Sequence, residues 1–412
     1  DYELRRRVCT KVTVRAPHRK SMSDSCLGVT HSIRGRRWNV RHDPTQLERY
    51  QAATGLPLLQ AALLLGRDVA AEEAEVFLTP TLRNSLPNPS TLQDADKAAE
   101  LILDAIAAQQ NITLFSDYDV DGGTSAAQLI RWARGLDFEF GLYVPDRVKE
   151  GYGPSGEAFD SLKAGGADLV ITVDCGAAAH EALSRAAEID LPVIVIDHHL
   201  MHGDLPPCAA LVNPNRPDDT SGQGHLAAAG VTFMLLAALN RETRRRDLGN
   251  GPNLLNLLGL TALGTVCDVV PLTGVNRSFV SQGLKVLSSG GNIGIAALAD
   301  VASAEKPYTT YHAGFIFGPR INAGGRIGQA NMGAVLLSTE NAQTAYGHAA
   351  ELDRVNQDRK ALQDDMLRQA QELADRDEDE NGILITAMPG WHPGVIGVVA
   401  GRLKDRYRRP SI

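Results

Sequence analysis

Between residues 91 and 200 the apolar residues follow two alternating rhythms. Short near-continuous runs at 111–115, 169–173 and 193–196, with a fourth candidate at 138–144, read as strands. Between them lie stretches of helical spacing at 91–108, 123–134 and 180–187, the first placed to be capped by Ser90 or Thr91. Near-continuous apolar strands alternating with helices predict an α/β fold, a parallel sheet with helices on both faces.

Outside this block the pattern changes. Residues 1–40 are polar, basic and aperiodic, and are expected to form a disordered tail; Met22 is a candidate start. Residues 41–90 carry short helical patterns at 46–53 and 58–65 and end in Pro80, Pro87 and Pro89, a boundary signal. Residues 226–290 look helical, with apolar Leu, Ala and Val throughout. Residues 340–378 hold no proline and read as a long polar helix suited to bridging two lobes. Asn381-Gly382 breaks it, and a strand at 383–386 and a helix at 395–403 read as the opening of a second α/β domain, as in a truncated molecule. The expected parts are therefore a tail (1–40), a helical region (41–90), a catalytic domain (91–272), a connector containing the long helix (273–380) and a partial domain (381–412).

Composition narrows the choice. Charged residues at 22% are ordinary for a soluble chain, and 41 Lys+Arg against 49 Asp+Glu leave a net charge of -8. That balance does not advertise nucleic-acid binding, so such a role would need a local basic surface and metals. Five cysteines without C-x-x-C spacing argue against a disulfide framework or zinc ribbon and fit a cytoplasmic protein. The most apolar stretches, 226–239 and 254–266, fall short of the roughly 18 residues of a membrane span.

The chemistry lies at the strand ends, where open parallel sheets bind ligands. The run 111–115 leads into Asp117-Tyr118-Asp119-Val120-Asp121-Gly122, Leu169–Val173 into Asp174-Cys175-Gly176, and Val193–Ile196 into Asp197-His198-His199. A single Asp after a strand is usually a helix cap or turn former, and Asp197 and Asp121 could be just that. Three such ends in one domain instead predict mutual repulsion relieved by cations, with hard oxygen donors favouring Mn²⁺ or Mg²⁺. An EF-hand also starts D-x-D-x-D-G, but it needs Glu at position twelve, where this chain has Gln128, and a helix rather than a strand before it. A haloacid-dehalogenase-type aspartyl phosphatase would leave the double histidine unexplained. Because adjacent strand residues point to opposite sides, His198 is assigned to metal and His199 to phosphate or leaving-group protonation. Asp268, set in an apolar run before Pro271, needs a metal or Arg partner. Arg320, Asn322 and Arg326 in G-P-R-I-N-A-G-G-R suit phosphate, and Trp391-His392-Pro393-Gly394 offers an aromatic and an imidazole for a base or for packing.

Together with Gly264 to Leu272 and Gly390 to Arg402, these ordered motifs resemble the DHH phosphoesterase superfamily and, within it, the bacterial RecJ single-strand-specific exonucleases. Arg147 to Pro154 looks like a family segment near the substrate. The resemblance implies metal ligands Asp117, Asp119, Asp174, His198 and Asp268, with Asp174 as bridge and catalytic together with His199. It implies substrate contacts from Arg320, Asn322, Arg326 and His392, and a C-terminal segment that begins a DHHA1 domain. A pair of ions about 3.5–4 Å apart would activate water and clamp the phosphate. The implied activity is 5′→3′ degradation of single-stranded DNA in repair and recombination, with single-strand-binding protein and a helicase as partners. Two other readings use the same motifs: a phosphodiesterase acting on short oligonucleotides or cyclic dinucleotides, and an inactive nucleic-acid-binding relative. One departure is Phe115, where some members carry a metal-binding His.

Overall fold

The computed structural model describes residues 25–147, 149–376 and 382–412. The expected disordered tail therefore lies largely outside the described residues, as does Met22; residues 25–40 hold a short 3-10 turn, Cys26–Gly28, and a bridge between Ser25 and Asn39. The chain divides into two compact units at Thr79/Pro80. The first contains α1 (Pro44–Thr54), α2 (Leu58–Leu65) and α3 (Ala74–Leu78), packed around Tyr50, Ala61, Leu64 and Val69.

The second unit opens with α4 (Leu82–Ser85) and α5 (Ala95–Ala107). The start of α5 differs from the expected cap. Ser90 and Thr91 belong to a 3-10 turn, and Asp94 precedes the helix with φ 59, its carboxylate accepting from the Leu211 amide and paired with Arg216. There follow β1 (Ile112–Ser116), α6 (Val120–Arg134), β2 (Gly141–Tyr143), α7 (Gly156–Ala164), β3 (Leu169–Val173), α8 (His180–Glu188), β4 (Val193–Ile196) and β5 (Ala210–Val212).

All four strand pairings are parallel, in the order β2-β1-β3-β4-β5. Side-chain alternation buries both faces of the sheet. Leu114, Ile171 and Ile194 enter the large core with α5, α6 and α9 (Ala228–Arg245), while Phe115, Val170 and Val195 enter a second core under α7 and α8. The order in which strands are added reverses at β1, so the edge between β1 and β3 is the topological switch point, where such sheets open a crevice.

Helices α10 (Leu258–Cys267), α11 (Gly274–Ser288) and α12 (Ile293–Val301) extend the large core. A π-helical segment, His312–Phe317, leads directly into α13 (Gly318–Ile327) and then α14 (Met332–Ser338). The expected bridging helix is α15 (Ala342–Ala374), 33 residues long and so about 50 Å. Its first half buries Ala345, Ala349 and Leu352 in the large core. Its second half packs Met366, Ala370 and Ala374 against Leu384 and α16 (Pro393–Tyr407). The strand expected at 383–386 is a single parallel bridge, Leu384 to Ser411. No helix among the described residues is long and apolar enough to cross a membrane.

Candidate metal and phosphate site

Register builds the site. Ser116 pairs with Val173, Val173 with Ile196, and Ile196 with Val212, so the next residue of each strand sits on one level. The ladder continues by one bond each: Asp117 N–H donates to Val173 O (3.2 Å), Asp174 N–H to Ile196 O (2.9 Å) and Asp197 N–H to Val212 O (3.0 Å). Three carboxylates therefore leave adjacent strands side by side, Asp117 and Asp174 at the switch point and Asp197 one strand further. Asp174 adopts φ 61, a left-handed turn that non-glycine residues rarely take.

Asp119 caps α6, its Oδ1 accepting from the Asp121 and Gly122 amides. Gly122 is required here, because a Cβ would lie 2.5 Å from Asp117 O. Asp268 arrives from the end of α10. That helix comes this close only because Gly264 is bare; a Cβ there would lie 2.7 Å from Asp121 Oδ1. His198 Nε2 is 3.2 Å from Asp174 Oδ1, 3.7 Å from Asp268 Oδ2 and 3.8 Å from Asp121 Oδ2.

Three sets of donor atoms lie within 4.8 Å of one another: Asp117–Asp119–Asp174, Asp121–His198–Asp268 and Asp174–His198–His199. Asp174 and His198 each belong to two of them. Among the described residues no Lys or Arg forms an ion pair with Asp117, Asp119, Asp121, Asp174 or Asp268. Burial, and then the Asp119 carboxylate, push Asp117 up to about 7. Burial, and then neighbouring carboxylates, push Asp121 and Asp174 well above the ordinary range. So much buried acid without a Lys or Arg partner is costly, and the oxygen-rich donor set with one imidazole fits a pair of hard divalent ions.

The third strand-end acid has another role. Asp197 is buried and accepts from the amides of Ala177, His198 and His199 and from His199 Nδ1 at 2.7 Å. Burial works against its charge, but His199 and the amides outweigh it and hold the carboxyl below the usual range. His199 Nε2 then faces the Tyr152 hydroxyl at 3.3 Å. Asn213 and Asn215 donate to the carbonyls of His199 and His198, fixing the histidine loop.

Asp117, Asp119, Asp174, Asp268, His199, Asn322 and Arg326 line one cavity of about 260 Å³, with Tyr118, Arg147 and Tyr152. Asn322 Oδ1 accepts from the Val120 amide, tying α13 to α6. Arg147 lies over the Tyr118 ring at 5.2 Å. A larger cavity of about 1260 Å³ opens beyond Tyr152 and His199 at the N-terminal ends of α7 and α8.

Two expected substrate contacts sit elsewhere. Arg320 Nε donates to Asp353 on α15 and its guanidinium also to Ile316 O, so its charge is already matched. His392 caps α16 through Nδ1, accepting from the Gly394 amide. Trp391 takes the packing option, its Nε1 donating to Gln369. Phe115 is buried against Tyr143 and Phe159 and offers no donor. The sequence alone does not assign Asp121, Asp197 or Tyr152 to the site. Their partners (the Ala228 and Ala229 amides, His199, and His199 again) come from other elements or from the histidine loop itself.

Residues 111–265 match the DHH family, N-terminal domain. The fold matches the crystal structure of exonuclease RecJ bound to manganese with a TM-score of 0.70 at 34% identity, covering 78% of this chain and 79% of that one. The chain belongs to the RecJ family. The RecJ of Thermus thermophilus, solved in complex with Mn²⁺, matches with a TM-score of 0.76 at 31% identity over 90% of this chain and 52% of that one. The single-stranded-DNA-specific exonuclease RecJ of Bacillus subtilis (strain 168) is 36% identical over 379 residues, 91% of this chain and 47% of the relative. The chain thus spans about half the length of that RecJ.

Proposed function

We propose that this chain hydrolyses phosphodiester bonds of single-stranded DNA from the 5′ end, using two Mn²⁺ or Mg²⁺ ions. The observation that carries the reading is the alignment of Asp117 and Asp174 at the switch point, completed by Asp119 from the same loop as Asp117 and by His198 and Asp268 from two further segments. The relatives add direction: one is named a single-stranded-DNA-specific exonuclease, and two are solved with manganese.

Asp117, Asp119 and Asp174 would hold one ion and His198 and Asp268 the other, with Asp174 between them. Bound there, such ions polarise phosphoryl oxygens and lower the pKa of water. The rest falls to the protein. Arg326 and Asn322, with Arg147, orient the phosphate in the cavity they share with the acids. His199, fixed through Nδ1 by Asp197, presents Nε2 as proton donor to the departing 3′ oxygen. The 5′→3′ polarity, a role in repair and recombination, and work alongside single-strand-binding protein and a helicase are parts of this proposal that rest on the family. A cytoplasmic setting is supported by the free cysteines Cys26, Cys175, Cys208 and Cys267.

The test is a digest of 5′- and 3′-end-labelled single strands with and without Mn²⁺. Manganese-dependent release of mononucleotides from the 5′ end is expected. Absence of release, or equal release from duplex, would overturn the reading.

A further inference from the structure

The π-helical segment before α13 and the residue that caps it carry two exposed aromatic rings that nothing so far uses. Tyr311 is 61% and Phe315 72% exposed, and their rings stack with centroids 5.4 Å apart and planes 24° apart. Burying large rings is favourable by default, so an exposed stacked pair marks a contact surface.

Its position gives the pair a partner. The π-segment packs on the end of α10: Cys267 Sγ approaches Ala313 O at 3.4 Å, and Cys267 precedes the ligand candidate Asp268. A cavity of about 170 Å³ lies alongside, lined by Gly314, Gly318, Cys267, Asn322, Arg326 and Arg359 among others. Asn322 and Arg326 also line the acidic cavity, so the two spaces adjoin at these residues. Arg326 and Arg359 are half-buried and donate to a carbonyl and to side-chain amides, not to carboxylates. Burial, and then a neighbouring guanidinium for each, lowers both from the usual arginine range. Next to the acidic cavity lie guanidiniums suited to a backbone phosphate; Gly314 lines the same space as these guanidiniums, and Phe315 and Tyr311 are its near neighbours along the chain.

We infer that Tyr311 and Phe315 form a stacking platform for a base of the single strand whose phosphate lies in the acidic cavity. This rests on the nuclease reading and deepens it by adding a sequence-tolerant base contact outside the metal site. Aromatic platforms beside a cationic track are the usual way single strands are held, since every base has a π-face. Duplex, with its bases already stacked, cannot use it.

The test compares an oligothymidylate of about twenty nucleotides, longer than one domain's usual site, with an abasic strand of equal phosphate count. Binding of the full chain is read by fluorescence anisotropy with Ca²⁺ in place of Mn²⁺, and turnover with Mn²⁺. The Tyr311→Ala/Phe315→Ala double variant should weaken oligothymidylate binding about tenfold, as losing a base stack does, and leave the abasic strand unchanged. Tyr311→Trp should retain the preference, and Tyr346→Ala, an exposed ring on α15, should not alter it. Equal loss on both strands, no loss, or a changed oligomeric state with intact base preference would overturn the platform. The two readings fail separately. A wild type that prefers bases but releases no nucleotide sinks the nuclease, whereas a double variant matching the wild type on both strands sinks the platform.

Discussion

His198 Nε2 stands 3.2 Å from Asp174 Oδ1, so a donor from the loop after β4 meets one from the loop after β3 at the middle of the acid cluster. Asp174 is also the member shared with Asp117 and Asp119. Replacing it with Asn should lower Mn²⁺-dependent nucleotide release on the order of 10³-fold, as loss of one group stabilising developing charge can do. The same change removes a buried, repelled charge, so the chelated protein should melt at a higher temperature than the wild type. Retained turnover would remove Asp174 from the centre of the site.

Asp121 should behave in the opposite sense. Its oxygens accept from the first-turn amides of α9, Ala228 (2.6 Å) and Ala229 (2.9 Å). Asp121→Ala leaves buried donors unpaired at about 1–3 kcal/mol each. Thermal melting of the chelated protein should therefore fall by several degrees, roughly 2–4 °C per kcal/mol at this size. An unchanged midpoint would show that the contact with α9 contributes nothing net.

Asp197→Asn tests the orientation of His199. The substitution keeps an acceptor but weakens the 2.7 Å contact with Nδ1, and a drop of about 10–100-fold in kcat is expected, the usual cost of losing a supporting partner. KM for single strands should move less. A variant with wild-type kcat would show that His199 needs no such support.

Metal and protons should compete. Burial and Asp119 raise Asp117 from 3.8 to about 7 in the metal-free fold. The folded chain thus binds a proton that the unfolded chain has released, and this contribution is full below pH 3.8 and is lost as pH rises to about 7. Mn²⁺ replaces the proton. The gap in melting temperature between Mn²⁺-loaded and chelated protein should widen from pH 5 to pH 7.5, about the window of that titration. A constant gap would contradict it.

Much of the frame was legible because its signals are local. β3 is an apolar run interrupted only by Thr172 and β4 is wholly apolar, and the acids follow them directly in sequence. β5 was not, because Ala210–Val212 is three residues long and becomes a strand only by pairing with β4. The ligand candidates were legible for the same reason as the strands: register does the rest. The roles of Asp121, Asp197 and Arg320 were not, since each is decided by a partner the sequence does not announce. Asp121 meets α9 more than a hundred residues on, Asp197 folds back on its own loop, and Arg320 is taken by Asp353.

The most direct test of the account is electron paramagnetic resonance of Mn²⁺ titrated into the chelated chain. Two ions per chain with a spin-coupled spectrum are predicted, and Asp174→Asn should abolish the coupling. A single ion, or two that remain magnetically independent in the wild type, would contradict a shared site built on the adjacent ends of β1 and β3.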